Sequence, residues 1–192
     1  MRDTIKLGLV LMVIAAISGI SLAYVNRITN PIIAERKQEQ ESLAMNMVVP
    51  EACRFEKLSE DQIIEVKKVA DDFSTLKTVS LGYDEDGLTV GAVIVFAVNG
   101  YGGPIEMLVG VDSDIKISGM QIMSHSETAG LGAKITQESF VSQFIGHSIS
   151  NPAKISRSGG DIDAIAGATI SSNAAITAVN LAVRIAECVM NR

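Results

Sequence analysis

The sequence predicts an α+β protein in which one N-terminal transmembrane helix is followed by an antiparallel-sheet domain with packed helices. Three observations carry that expectation. Residues 7–25 form an uncharged apolar stretch, residues 76–123 alternate β-type runs with turns, and residues 172 to about 190 show helical periodicity.

The first stretch holds nineteen residues without a charge. At about 1.5 Å per residue it reaches roughly 28 Å, close to the hydrocarbon thickness of a bilayer. A retained membrane anchor is expected. The competing reading, a cleaved signal peptide, normally has a shorter apolar run, and Ser21 and Ala23 make only a weak small-residue pair. Tyr24 at the far boundary fits an interfacial aromatic. Arg2 and Lys6 on one side are balanced by Arg27, Arg36 and Lys37 on the other, so charge alone does not set the orientation.

The expected organisation is an anchor at 1–27, a helical stalk leading into the domain at 28–75, and the folded domain at 76–192. The charged run at 35–41 reads as a solvated helix face. Ile63, Val66 and Val69 at three-residue steps support a short helix over 60–69. The runs from 76 to 123 are separated by turns at 84–87, 100–103 and 112–114, which gives an antiparallel meander. The acidic turns at 84–87 and 112–114 lack the ligand spacing of a calcium loop and read as solvated hairpins. Phe140, Val141, Phe144 and Ile145 predict a helix over 136–145 packed back on the sheet. Ile176, Val179, Val183, Ala186 and Met190 bury one face of the last helix, with Ser171 and Ser172 as plausible caps.

About 165 residues follow the anchor, enough for one compact domain with a genuine core. Sixteen basic against twenty-two acidic residues, net −6, argue against a nucleic-acid surface. Cys53 and Cys188 lack the paired spacing of a zinc or iron–sulfur site, and either a bridge or two free thiols is compatible with them. His125 and His147 are the only histidines and no cluster completes a metal set around them, so no metal is expected. No Ser-His-Asp ordering, phosphate-loop lysine motif or dinucleotide glycine fingerprint is present.

Three blocks carry chemistry. The run Asp163-Ala164-Ile165-Ala166-Gly167-Ala168-Thr169-Ile170-Ser171-Ser172 presents a hydroxyl among small residues beside a helix start. Gly167 and Ala168 let a bulky group approach the backbone. The unpaired amides and positive dipole end of the helix attract an anion, which makes Thr169 the candidate attachment residue. The next charged residue after Asp163 is Arg184, so nothing anionic is expected to compete with a phosphate there. Read alone, the run is more simply a small-residue turn capping a helix. The second block, Ser124-His125-Ser126-Glu127-Thr128-Ala129-Gly130-Leu131-Gly132-Ala133-Lys134, is a polar glycine-punctuated loop at the end of a strand-like run. The third, Gly100-Tyr101-Gly102-Gly103-Pro104-Ile105, lies between two apolar runs.

In this order the three blocks resemble the FMN-binding domain of the RnfG and NqrC type. The first is similar to the family's S-G-A-T-like motif, whose threonine carries FMN through a phosphoester. The second resembles its H-x-E-T-P-G-L-G segment, with Ala129 at the usual proline, and the third its G-Y-G-G segment. The resemblance implies FMN as cofactor, bound covalently at Thr169, with Gly167, Ala168 and Ser171 around the attachment. It also places Glu127 and Thr128 against the flavin or its ribityl chain, with Gly130, Leu131, Gly102 and Gly103 beside it. His125 either approaches the flavin or is an exposed loop histidine. Tethering through the phosphate leaves the flavin ring itself unmodified.

At the level of function, the resemblance to the RnfG family implies an electron-carrying subunit of a membrane-bound ion-translocating ferredoxin:NAD oxidoreductase, with no independent substrate turnover. Its implied partners are the other membrane subunits, a flavin transferase for maturation, and membrane lipid. The implied topology has a cytoplasmic amino terminus and a flavin domain on the periplasmic or extracellular side of the cell membrane. The alternatives are an NqrC-like component of a sodium-pumping NADH:quinone oxidoreductase, whose chains tend to be longer, and a membrane-tethered assembly module without redox chemistry.

Overall fold

A computed structural model describes residues 2–69 and 75–191, so the end of the predicted stalk segment lies partly outside the described residues. The chain divides into two compact units, Met1–Ser42 and Leu43–Arg192. Helix α1 (Arg2–Val48) supplies the first. Leu7, Ile14, Ile20 and Leu22 are all more than half exposed, and none of the most apolar window is buried. With a mean hydropathy of 2.3 in that window, the helix is long and apolar enough to cross a membrane. Pro31 lies inside α1 and removes one backbone donor, and near it the Thr29 hydroxyl donates to the Val25 carbonyl (2.6 Å).

The second unit is built on a five-stranded antiparallel meander in the order β1 (Arg54–Lys57), β2 (Leu76–Tyr83), β3 (Thr89–Asn99), β4 (Pro104–Asp112) and β5 (Ile117–Ser124). Every neighbouring pair is antiparallel, as the alternation of apolar runs and turns predicts. The sheet reaches back to residue 54 and the compact unit to Leu43, so this part of the 28–75 segment packs with the domain. Helix α2 spans Glu60–Val69, and its Val66 is buried in the main core.

Both faces of the sheet are covered, which is why β3 reads Val-Gly-Ala-Val-Ile-Val-Phe-Ala-Val with almost no polar interruption. One face carries Ile94, Phe96, Ile105, Met107 and Val109 beneath helix α4 (Thr169–Met190), which crosses β3 and β4. The helix lays Ala175, Ala178, Ala182 and Ala186 among Val179, Val183 and Ile185, and those small side chains let its backbone lie close to the strands. Its hydropathy would pass for a membrane span, but the burial of that stripe identifies a core helix.

The opposite face packs Val93, Val95 and Leu108 against Ala44, Met45, Val48, Val49 and Ala52. Glycines make the room. A Cβ on Gly110 would lie 2.6 Å from the Val48 carbonyl oxygen, and one on Gly91 would lie 2.9 Å from Val49 Cγ1. Ser118 donates its hydroxyl to that same Val48 carbonyl (2.5 Å), satisfying an acceptor that the end of α1 leaves open.

Two sequence expectations are corrected. The helix expected over 136–145 is three short pieces: a 3-10 turn at Gly132–Thr136, helix α3 at Glu138–Val141 and a second 3-10 turn at Ser142–Phe144. Gln137 is extended (φ −72°, ψ 140°) and breaks the ladder. The apolar spacing served instead to stack Phe140 and Phe144 edge to face at 5.3 Å, both buried. The last helix starts at Thr169, three residues before the predicted start, and its N-cap is Ala168, which supplies no side-chain cap.

Candidate functional site

The three blocks converge on the start of α4, and the side chain that joins them is Glu127. It is 8% exposed, and its two carboxyl oxygens are both engaged. Oε1 accepts the Gly102 backbone N–H (3.0 Å), and Oε2 accepts the Ser171 hydroxyl (2.7 Å). The second block is thereby tied to the third across 25 residues and to the first turn of α4 across 44. A Cβ on Gly100 or on Gly132 would overlap one of the carboxyl oxygens, and a Cβ on Gly102 would overlap the Ser126 carbonyl. These glycines clear space for Glu127 and its own loop. His125 accepts the Glu127 backbone N–H at Nδ1 (3.2 Å), which shapes the loop locally.

No acidic residue follows Asp163 through the first turns of α4, yet a carboxylate reaches the helix start through space. The Glu127 carboxylate meets the first turn from another loop, where counting along the chain could not find it. It does so from the buried side. Thr169 and Ser171 are two residues apart, about 200° around a helix, so they face opposite ways. Ser171 and Ser172 are fully buried while Thr169 is exposed. Neither serine is the N-cap: Ser172 Oγ donates to the Ala168 carbonyl (3.0 Å) and accepts the Ile165 N–H (3.1 Å), pinning the preceding turn. That turn passes through Gly167 with φ 78°, a conformation glycine adopts without strain.

Thr169 stands at the rim of a cleft of about 580 Å³ walled by residues 155–157 and 163–167. That volume is within the range of ordinary small-molecule sites. Ile155, Ala164, Ile165 and Ala166 give it apolar surface, and Arg157 contributes a cation. Asp163 also lines it, with its carboxylate accepting the Ser156 hydroxyl (2.7 Å) and its N–H donating to Gln143 Oε1 (2.6 Å). The loop carrying Arg157 is fixed at Ala153, whose N–H and C=O both pair with the Asn180 side chain of α4 at 2.9 Å.

Of the residues singled out from sequence, Gly167 and Thr169 line this cleft, while Ala168 is buried beneath the turn. Ser171 and Glu127 are buried together behind the helix start. Thr128, Gly130 and Leu131 lie on the surface next to it, Leu131 46% exposed, with Leu131 Cδ2 3.3 Å from where a Cβ on Gly167 would sit. Gly102 and Gly103 border the same loop through Ser126 and Glu127. Sequence reasoning missed Arg157, whose only signal was a cation in a Ser/Gly-rich loop just ahead of the first block. Cys53 and Cys188 are both free thiols. Among the described residues no group of three or more His, Cys, Asp or Glu side chains could hold a metal ion.

The profile of the FMN-binding domain family matches residues 100–184, which takes in all three blocks. That of the RnfG N-terminal region matches residues 1–48. Among curated proteins, the G subunit of the ion-translocating oxidoreductase complex of Methanosarcina acetivorans is 35% identical over 183 residues, covering 95% of this chain and 94% of its own length. The chain belongs to the RnfG family. Another member, the G subunit of the Na(+)-translocating ferredoxin:NAD(+) oxidoreductase complex of Acetobacterium woodii, is 31% identical over 190 residues, with 94% and 90% of the two chains covered. The fold is also that of NqrC from Shewanella oneidensis, with a TM-score of 0.54 at 17% identity over 82% of this chain and 96% of that one. This RnfG-family chain thus carries an FMN-binding domain in an α+β fold shared with NqrC.

Proposed function

We propose that the chain carries electrons within a membrane-bound ion-translocating ferredoxin:NAD oxidoreductase of the Rnf type, through FMN held by a phosphoester at Thr169. Family membership makes it a membrane-associated redox subunit of a multi-subunit oxidoreductase, with FMN as its cofactor. The observation that carries the attachment site is the state of the three neighbouring hydroxyls. Ser171 and Ser172 are buried and hydrogen-bonded, and Thr169 alone is exposed, beside a cleft and at a helix start that no side chain caps.

The residues present fit such a group. Without a side-chain cap, the first amides of α4 retain unpaired N–H donors and the positive end of the helix dipole. Arg157 supplies a full positive charge in the same cleft. Together they favour a phosphate at Thr169 Oγ over the opposing charge of Asp163, whose carboxylate in the same cleft is engaged by the Ser156 hydroxyl (2.7 Å). Ile155, Ile165 and exposed Leu131 and Ile170 offer apolar surface around it. FMN bound there supplies one- and two-electron redox chemistry, and the protein's contribution is to hold it in place and set its surroundings. Gly102, Gly103, Thr128 and Gly130 shape the loops beside the site, and Glu127 and Ser171 hold its floor.

Esterifying Thr169 with release of water is uphill, so maturation needs a flavin transferase acting on an activated flavin. Residues 1–27 anchor the chain in lipid, with the amino terminus on the cytoplasmic side and the flavin domain on the outer face. The test is a Thr169→Val chain assembled with its partner subunits. The expected result is intact assembly, loss of flavin fluorescence from the denatured chain, and loss of electron transfer. Retained turnover would refute the carrier role, and full covalent loading from free FMN without the transferase would refute the maturation scheme.

A further inference from the structure

We infer that Glu127 is a positioning residue that makes Thr169 the acceptor hydroxyl, by locking Ser171 into the buried face of α4 and binding the two glycine loops to that turn. The inference rests on the reading of Thr169 as the flavin-bearing residue and goes beyond it to what selects that hydroxyl.

Three hydroxyls lie within four residues at the helix start. Chemistry alone would favour the serines, because a primary alcohol is a less hindered nucleophile than the secondary alcohol of threonine. Geometry must therefore do the selecting. Attachment forms a bond from the hydroxyl oxygen to phosphorus and breaks the phosphoanhydride bond of an activated flavin. The nucleotide leaves and the hydroxyl proton passes to solvent, with no change of oxidation state. Ser171 cannot enter that exchange because its hydroxyl is fully buried on the core side of α4, held there at 2.7 Å from Glu127 Oε2. Ser172 is held by Ala168 and Ile165. Thr169, on the far side of the helix, is left facing the cleft.

The lock is built, since three separate segments are shaped around it. Gly100 and Gly132 leave only enough room for the carboxyl oxygens, and the Gly102 N–H fixes the oxygen that Ser171 does not use. Its removal would free the Ser171 hydroxyl and unfasten the first turn of α4 from both loops. Glutamine would preserve both links, its amide oxygen accepting from Gly102 and its NH2 donating to Ser171.

The experiment expresses full-length wild type, Glu127→Ala, Glu127→Gln and Thr169→Val in a host containing the transferase. Covalent flavin per chain is read by fluorescence after denaturation, the attachment residue by peptide mass spectrometry, and folding by calorimetry in detergent. Wild type and Glu127→Gln should label at Thr169 alone, while Glu127→Ala should lose at least fivefold of that label. A folded Glu127→Ala chain labelled at Thr169 to the wild-type level would overturn the proposal. If Glu127→Ala fails to fold, Ser171→Ala removes the same link and keeps the carboxylate with its Gly102 bond. Its initial labelling rate should drop at least threefold, and an unchanged rate would be equally fatal. Fluorescence persisting in Thr169→Val would instead overturn the attachment site itself.

Discussion

Gly132→Ala adds a single methyl group at a point where the structure leaves no room for one. The new Cβ would overlap Glu127 Oε2 and lie 2.9 Å from Glu127 Cβ and 3.1 Å from its Cδ. Gly132 is not in the left-handed region, so alanine fits the backbone and the overlap is the whole of the problem. Relief requires the buried carboxyl group to move away from Ser171 and Gly102. Overpacking costs about 1–3 kcal/mol and a buried polar group left unpaired a further ~1–3 kcal/mol. Replacing glycine recovers ~1 kcal/mol through the unfolded chain and helical preference. The net loss is about 3 kcal/mol, or roughly 6–12 °C in Tm for a unit of this size. The assay is scanning calorimetry of the full chain in detergent, run alone and in a Glu127→Ala background. Without the side chain to strike, the same methyl group should be neutral or slightly stabilising, a coupling that a double-mutant cycle measures directly. A Tm within 1 °C of wild type, or an equal loss in both backgrounds, would refute the reasoning.

Asn180→Ala removes both hydrogen bonds to Ala153 and leaves that residue's buried N–H and C=O without side-chain partners. Calorimetry should show a loss of about 2 kcal/mol, and limited proteolysis should cut faster between residues 151 and 163. Ser118→Ala deletes the hydroxyl that satisfies the Val48 carbonyl and should lower Tm by roughly 2–4 °C, corresponding to about 1 kcal/mol.

The parts of the fold that the sequence made legible are those in which a single burial surface imposes one period. Helix α4 repeats its apolar residues because one stripe rests on β3 and β4, and the strands announce themselves through apolar runs cut by acidic or glycine turns. The segment after β5 was misread because Phe140 and Phe144 have helical spacing, while the residue that breaks the ladder, Gln137, carries no local signal for doing so. The start of α4 was placed late for a similar reason. Ser171 and Ser172 are good caps by composition, but their hydroxyls are recruited by Glu127 and by the turn at 165–168.

The site divides along the same line. The hydroxyl of Thr169 beside a helix start was legible in residue types, as were the close approaches at Gly102 and Gly132, which the fold fills with Ser126 and Glu127. The pairing of residue 127 with residue 171 was not, because nothing local to either position names a partner 44 residues away. Arg157 was hidden for want of any motif around it, and only the folding of its loop against 163–167 brings it into the cleft beside Thr169.

The measurement that bears most directly on the central claim is the intact mass of the denatured, purified chain from a host with the transferase, followed by peptide mapping. The account predicts a mass greater than that of the sequence by one FMN less one water, carried by the peptide that contains Thr169 and absent from Thr169→Val. An unmodified mass in chain that carries FMN before denaturation, or a flavin mapped to any other residue, would contradict it.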